Sequence, residues 1–276
     1  MKKRIVIALL LCAIALTSVL AFAACTPKEL KGFDIELAQL VAEELGVEVK
    51  FQKIFWDSKE TELSGKTIDL IWNGLTINDD RLEQFSISTP YMNNQQIAVI
   101  RKSDSSKYVT FDNIKSAKTA YEKGSAGQDV ANDLGFTNAL GLDGQVDALM
   151  EVKAGTSDVA LLDSVLGNFY CNEDSQFSDL MVIPNIIFTV EQYGIAARKG
   201  DLGTIDKINT ALAILQANGK LAELADKYSL KSQLCDVTYE SKWDSLTDEE
   251  KSGWNYIQNK GFFTVGYTLY APIAFF

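Results

Sequence analysis

The 276 residues contain no histidine. That absence removes the side chain most often used as a general base near neutral pH, and the commonest nitrogen ligand of zinc. Positive charge is also scarce: 26 Lys and Arg stand against 37 Asp and Glu, a formal net charge of −11. The only charges before Cys25 are Lys2, Lys3 and Arg4, so taking these three cations away moves the balance from −11 to −14. Such a surface repels phosphate backbones, and nucleic acid is excluded as an expected partner. Cysteine occurs four times, as Cys12, Cys25, Cys171 and Cys235. What is present is ordinary. Charged residues at 23% and hydrophobic ones at 47% place the chain among globular rather than disordered proteins. Its length suits one large domain or two lobes of about 100 residues each.

Residues 1–24 read as a targeting segment. Lys2, Lys3 and Arg4 form a charged start, Ile5 to Leu20 is apolar, and Ala21-Phe22-Ala23-Ala24 is a small-residue cleavage site before Cys25. A membrane-spanning anchor is the alternative, but the run is short and lacks a stop-transfer pattern. Cysteine directly after Ala-Ala resembles a bacterial lipobox, with Phe22 where leucine is usual. On that resemblance Cys25 becomes the lipidated first residue, and two or more acyl chains give stable membrane attachment. Cys171 and Cys235 remain. A disulfide between them is allowed outside the cell, and is opposed by their expected placement in different lobes that move.

The stretch Ile71 to Arg81, IWNGLTINDDR, is where chemistry concentrates. An apolar strand breaks at Asn73-Gly74, resumes to Ile77, and gives way to a polar helix entry holding Arg81. Gly74 permits close backbone approach, Thr76 adds a hydroxyl, and Arg81 is a planar fork suited to gripping a carboxylate at two points. A strand end followed by a solvated arginine is the plainer reading of these residues. Upstream, Lys31 to Gly46 carries an apolar stripe (Ile35, Ala38, Ala42, Leu45), with Asp34 as an expected cap and Gly46 as a stop. Downstream, Gly124-Ser125-Ala126-Gly127 opens a helix whose free N–H groups favour an anion, and Ser125 is equally suited to plain N-capping. Asp163 ends the apolar strand Val159 to Leu162, where open α/β sheets place ligand groups, and it also precedes a helix that it could cap.

Together, G-L-T-x-x-x-x-R (Gly74 to Arg81) and F-S-x-S-x-P-Y (Phe85 to Tyr91) resemble the first ligand-binding segment of the bacterial extracellular solute-binding proteins of family 3. These are the amino-acid receptors of ABC importers. The resemblance implies that Gly74, Thr76 and Arg81 grip an α-carboxylate, helped by Ser125 and the N–H of Ala126, while Asp163 holds the α-ammonium. It also implies an aromatic against the ligand side chain at Trp56. The two strands beginning at Gln95 and Gln192 resemble the family's paired hinge. The segment FFTVGYTLYAPIAFF, residues 262–276, resembles the family's opening strand, which ordinarily precedes Lys31. By that likeness Tyr270 packs on the ligand side chain, with Tyr267 a weaker candidate at a place where binders of basic amino acids often carry an acid.

The expected architecture is therefore an α/β, two-lobe, periplasmic-binding-protein-like fold of type II, circularly permuted. Residues 25–99 and 192–276 form lobe one and residues 100–191 lobe two. The expected function is extracytoplasmic capture of an amino acid, with polar neutral side chains ahead of lysine or arginine. The expected partners are that ligand, an ABC permease and, through Cys25, the membrane; a monomer is expected and no cofactor. The runner-up is a cyclohexadienyl-dehydratase-like enzyme on the same fold, for which Glu122 would be the acid/base carboxylate. A nonfunctional product of a rearranged gene is a third reading. A sensor would call for a membrane span and a signalling module, and neither precedes Phe276. Between residues 236 and 244 a polar linker is expected, followed by a helix with Thr247 and Glu250 at capping-box spacing.

Overall fold

The computed structural model describes residues 29–276; the expectations for residues 1–24 and for Cys25 lie outside that range. Helix α1 (Phe33–Leu45) buries Phe33, Ile35, Leu37, Ala38, Val41 and Ala42, and Gly46 ends it in the left-handed conformation at φ 68°. Its start differs from expectation. Gly32 holds the N-cap position and Asp34 makes no cap. The amides of Phe33 and Asp34 instead donate to the carbonyls of Pro272 (2.8 Å) and Ile273 (3.1 Å). Backbone from the far end of the chain satisfies the free donors of the first turn, so no side chain is needed for it.

One sheet of nine strands joins two α/β lobes among the described residues. The strands are β1 (Glu48–Lys53), β2 (Leu70–Thr76), β3 (Phe85–Ile87), β4 (Met92–Arg101), β5 (Thr119–Glu122), β6 (Ala139–Leu142), β7 (Val159–Asp163), β8 (Leu180–Arg198) and β9 (Phe262–Tyr267). Their order is β1-β9-β2-β8-β4-β7-β5-β6, with β3 on β8. β1, β9 and β2 run parallel, as do β7, β5 and β6. Between these groups the long strands β8 and β4 pair antiparallel over most of their length. They are the strand pair expected at the hinge, although β8 begins earlier than the sequence suggested.

β9 fills the centre of the first parallel group. Phe262 to Tyr267 pair with Glu48 to Lys53 on one side, and Val265 and Gly266 pair with Leu70 and Ile71 on the other. Phe263 and Val265 on one face and Gly266 on the other are buried, as expected of a parallel strand covered on both sides. Asp69 locks it in place. Its carboxylate accepts from the Thr264 amide (2.8 Å), Lys260 Nζ (2.6 Å) and Arg198 Nη2 (3.3 Å), while its own amide donates to Thr264 O (2.8 Å).

Helices α2 (Lys59–Ser64) and α3 (Asp79–Gln84) flank β2, and α4 (Phe111–Lys115), α5 (Ala126–Asp133), α6 (Gln145–Ala154) and α7 (Ser164–Tyr170) belong to the second lobe. The chain then returns through α8 (Leu202–Ala217), α9 (Lys220–Lys227) and α10 (Asp248–Lys260). The capping box is present: Thr247 Oγ1 accepts from the Glu250 amide, and the Glu250 carboxylate accepts from the Thr247 amide. The stretch before it is a strap rather than a free linker. Buried Asp206 on α8 accepts from Tyr239 Oη (2.9 Å), Ser241 Oγ (2.8 Å) and the Lys242 amide (2.6 Å). Cys171 and Cys235 are both free thiols. Among the described residues no helix is long and apolar enough to cross a membrane.

Candidate functional site

At the end of β2 the pairing with β8 shifts register: Ile71 faces Ala196 and Leu75 faces Gly194, so four steps on β2 match two on β8. The bulge falls on Trp72, Asn73 and Gly74 and turns the strand end aside. Gly74 sits at φ 62°, and a Cβ there would stand 1.9 Å from Tyr270 Oη and 3.1 Å from the Tyr193 ring. Only glycine fits this position. Its amide donates to Asp34 Oδ2 (2.8 Å), and Tyr91 Oη donates to both Asp34 oxygens at 2.9 Å. Asp34 is thus a buried fastener for the bulge rather than a helix cap, and burial pushes its carboxyl up to about 7 against the pull of Tyr91 and Gly74. Because the Gly74 amide is engaged, this residue can offer a guest its carbonyl and close approach, but not its N–H.

Asn78 caps α3 by accepting from the Arg81 amide (2.9 Å). This cap orients Arg81, which is 7% exposed. Its Nη1 donates to Thr76 O (2.8 Å), and Nη2 stands 3.5 Å from Gly124 O and 3.6 Å from Asp129. Lys59, also buried, donates to Trp56 O (3.2 Å) and Gly124 O (2.9 Å). Burial and the nearby Arg81 charge lower it to about 8. Two cations of the first lobe therefore meet one carbonyl of the second.

Across from them, Ser125 caps α5, its Oγ accepting from Gly127 (3.1 Å) and Gln128 (3.3 Å). The capping reading of Ser125 holds, and Ala126 opens the helix beside it. Asp163 is different: it precedes α7 yet makes no capping bond. Its Oδ1 accepts from Asn94 Nδ2 (2.9 Å) and from Gln96 Nε2, and its Oδ2 from Gln145 Nε2 (2.5 Å). Asn94 takes over the helix start through its own Oδ1, which accepts from Ser164 Oγ (3.0 Å) and the Val165 amide (3.3 Å). Glu191 on β8 accepts from the same two amides, Asn94 and Gln96. Burial and the Asp163 charge push Glu191 up to about 7.

These walls close on one small cavity of about 10 Å³, little more than the room for a water molecule, so a larger guest enters only if the walls part. Trp56, Gly74, Thr76, Arg81, Ser125, Ala126, Asp163 and Tyr270 all line it, together with Asn73, Glu122, Gln145 and Thr268. Tyr267 does not. Strand side chains alternate in direction, so Thr268 and Tyr270 turn inward while Tyr267 packs edge-on against Phe51, ring centroids 6.2 Å apart. Asn73 accepts from the Thr268 amide (2.7 Å) and Oγ1 (2.9 Å), tying the end of β9 to the bulge. Sequence reasoning missed Lys59, Asn73, Asn94, Gln96, Gln145, Glu191 and Thr268. Lys59 and Gln145 open helices and Asn94 and Gln96 stand in the polar run Asn93 to Gln96, so no sequence pattern set them apart as site residues.

Residues 19–231 match the family described as bacterial extracellular solute-binding proteins, family 3. The chain belongs to that family. The match ends before α10 and β9. Among curated solute-binding relatives, the L-cystine-binding protein TcyJ of Escherichia coli is 26% identical over 201 residues, 72% of this chain and 74% of that protein. Among solved structures, a mutant of ArgBP from T. maritima is 31% identical with a TM-score of 0.67, covering 72% of this chain and 85% of that one. A substrate-binding protein of an ABC uptake transporter from Streptococcus pneumoniae, solved with bound histidine, is 32% identical with a TM-score of 0.66, covering 76% and 85%. The two-lobe α/β solute-binding fold is shared with these structures, and the chain is an amino-acid-binding type of receptor within the family.

Proposed function

We propose that this protein captures a free amino acid outside the cell, in the cavity between its lobes, and delivers it to an ABC permease. Residues 25–99 and 192–276 form the first lobe and 100–191 the second. Arg81, with Thr76 and the start of α5 at Ser125 and Ala126, receives the α-carboxylate; Asp163 receives the α-ammonium; Trp56 and Tyr270 flank the side chain. The observation that carries this reading is the pair Arg81 and Asp163, a buried cation and a buried anion on facing walls of one cavity. A zwitterion matches that pair, and a ligand gripped from both sides holds the lobes together. Gly74 contributes its close approach rather than its amide.

Relatives named for cystine, arginine and histidine support an amino-acid ligand. The protein is a receptor rather than an enzyme. Cys25 anchors it to the membrane by lipid, and it works as a monomer. The opening strand of the family is supplied by β9, downstream of the matched region, so the lobe is circularly permuted. The test is a thermal-shift screen against the twenty amino acids. A ligand at one hundred times its dissociation constant adds about 2.7 kcal/mol of stability. No shift with any amino acid would overturn the reading.

A further inference from the structure

Resting on that reading of the cavity, one titratable wall group is left without a role. Glu122 ends β5, lines the cavity and is 3% exposed, and its Oε1 has no hydrogen-bond partner. A buried carboxyl oxygen left without a partner is costly whether or not the group carries its proton. Lys59 Nζ donates to Trp56 O and Gly124 O, and Gln145 Nε2 to Asp163, and none of these bonds reaches Glu122 Oε1. Aromatic walls, Trp56 and Tyr270, face the same space, and aromatic faces attract cations.

We propose that Glu122 receives a cationic side chain of the ligand, so that the ligand class is an α-amino acid bearing a guanidinium or ammonium group. The sequence pointed toward polar neutral ligands because β9 carries no acid near Tyr267. The acid is supplied by β5, from the opposite lobe. Burial and the Asp163 charge hold the Glu122 carboxyl well above the usual range, with Lys59 acting in the opposite sense. A cation arriving there ionises it, so binding of a cationic ligand releases a proton to the buffer.

The experiment is calorimetry on the full chain with arginine, lysine, citrulline and norleucine, on the wild type and on Glu122→Gln. Citrulline and norleucine approximate the shapes of the first two without their charge. Arginine or lysine should bind at least about 100-fold tighter than its neutral counterpart, and the gap should fall below about 10-fold in Glu122→Gln. Repeating the wild-type titration in buffers of different ionisation enthalpy should show proton release with the cationic ligand. A neutral amino acid that binds as tightly as arginine and lysine would overturn the proposal. An unchanged gap in Glu122→Gln would do the same. Either result leaves the cavity assignment intact, because loss of all binding in Arg81→Ala tests that separately. No binding by any amino acid would overturn both. If Glu122→Gln does not fold, the wild-type gap and the proton count still decide.

Discussion

The two lobes use the same kind of parallel sheet but are closed in different ways. In the second lobe β5, β6 and β7 follow one another within residues 119–163 and pair among themselves, and their one outside neighbour, β4, comes from nearby residues 92–101. In the first lobe, β1 and β2 do not touch each other. The strand between them arrives from residues 262–267, after the chain has crossed to the second lobe and returned. A lobe closed locally folds from nearby contacts, whereas one closed by a distant strand must wait for a long loop to form. The first lobe is therefore the vulnerable one.

Truncation after Ser232 should have the largest effect. It would leave β1 and β2 with unpaired backbone and expose the surfaces that cover Phe263, Val265 and Ile257. Loss of cooperative unfolding and of ligand binding is expected, read by circular dichroism and calorimetry. A truncated protein that stays soluble and binds would show the comparison to be empty.

Next come the charged groups facing each other across the cavity, one from each lobe. Arg81→Ala and Asp163→Asn should each weaken amino-acid binding by roughly 2–5 kcal/mol while leaving the fold intact. Asp163→Asn should affect an analogue lacking the α-amine far less than the parent ligand. Equal losses for both would mean that Asp163 serves closure instead.

A smaller contrast separates the clamps of the two lobes. Asp69 is buried and ties β9, α10 and β8 together. Arg101, about one fifth exposed, ties residues 104, 152, 157 and 158 of the second lobe. Asp69→Ala should cost about 2–3 kcal/mol, below the range for a fully buried pair because Lys260 and Arg198 keep partial exposure. Arg101→Ala should cost about 1 kcal/mol. Urea unfolding of both variants measures the difference, and equal losses would deny that the first lobe depends more on its clamp.

The mildest effect is on pH dependence. Asp34 holds its proton in the folded state up to about 7, whereas an unfolded aspartate releases it near pH 4. Between these values the folded state binds more protons, so this contribution to stability is full at low pH and is lost as pH rises toward 7. Asp34→Asn should flatten the slope of stability over that window. The part of the slope that remains belongs to the other carboxyls raised in the same direction by burial, Glu122, Asp129, Asp163, Glu191 and Asp201. A slope unchanged by Asp34→Asn would contradict the assignment.

Features set by neighbouring residues were legible in the sequence. The helix expected to follow Asp163 is present as Ser164–Tyr170, and the Thr247–Glu250 capping box is present because both partners lie within one turn. The cavity-lining residues Arg81, Ser125, Asp163 and Tyr270 were singled out through a family motif and through strand ends. Asp34 was misread because the group that replaces its cap, the Pro272–Ile273 backbone, comes from over 200 residues away. Tyr267 was misplaced because side-chain direction depends on a register that only pairing fixes. Lys59, Gln145 and the Asn94–Gln96–Glu191 group acquire meaning only when three strands and two helix starts converge.

The Asp206 anchor has a consequence for how the chain assembles. Tyr239, Ser241 and Lys242 are fastened to α8, so β9 is not at the end of a long free tether. Only the short stretch beyond Lys242, much of it the rigid helix α10, separates the fastening from the gap between β1 and β2. A short, stiff tether raises the effective concentration of a strand at its own site far above that of the same strand on another molecule. Exchange of β9 between chains, the usual hazard of a lobe completed by a distant segment, is disfavoured by one aspartate that never touches the strand.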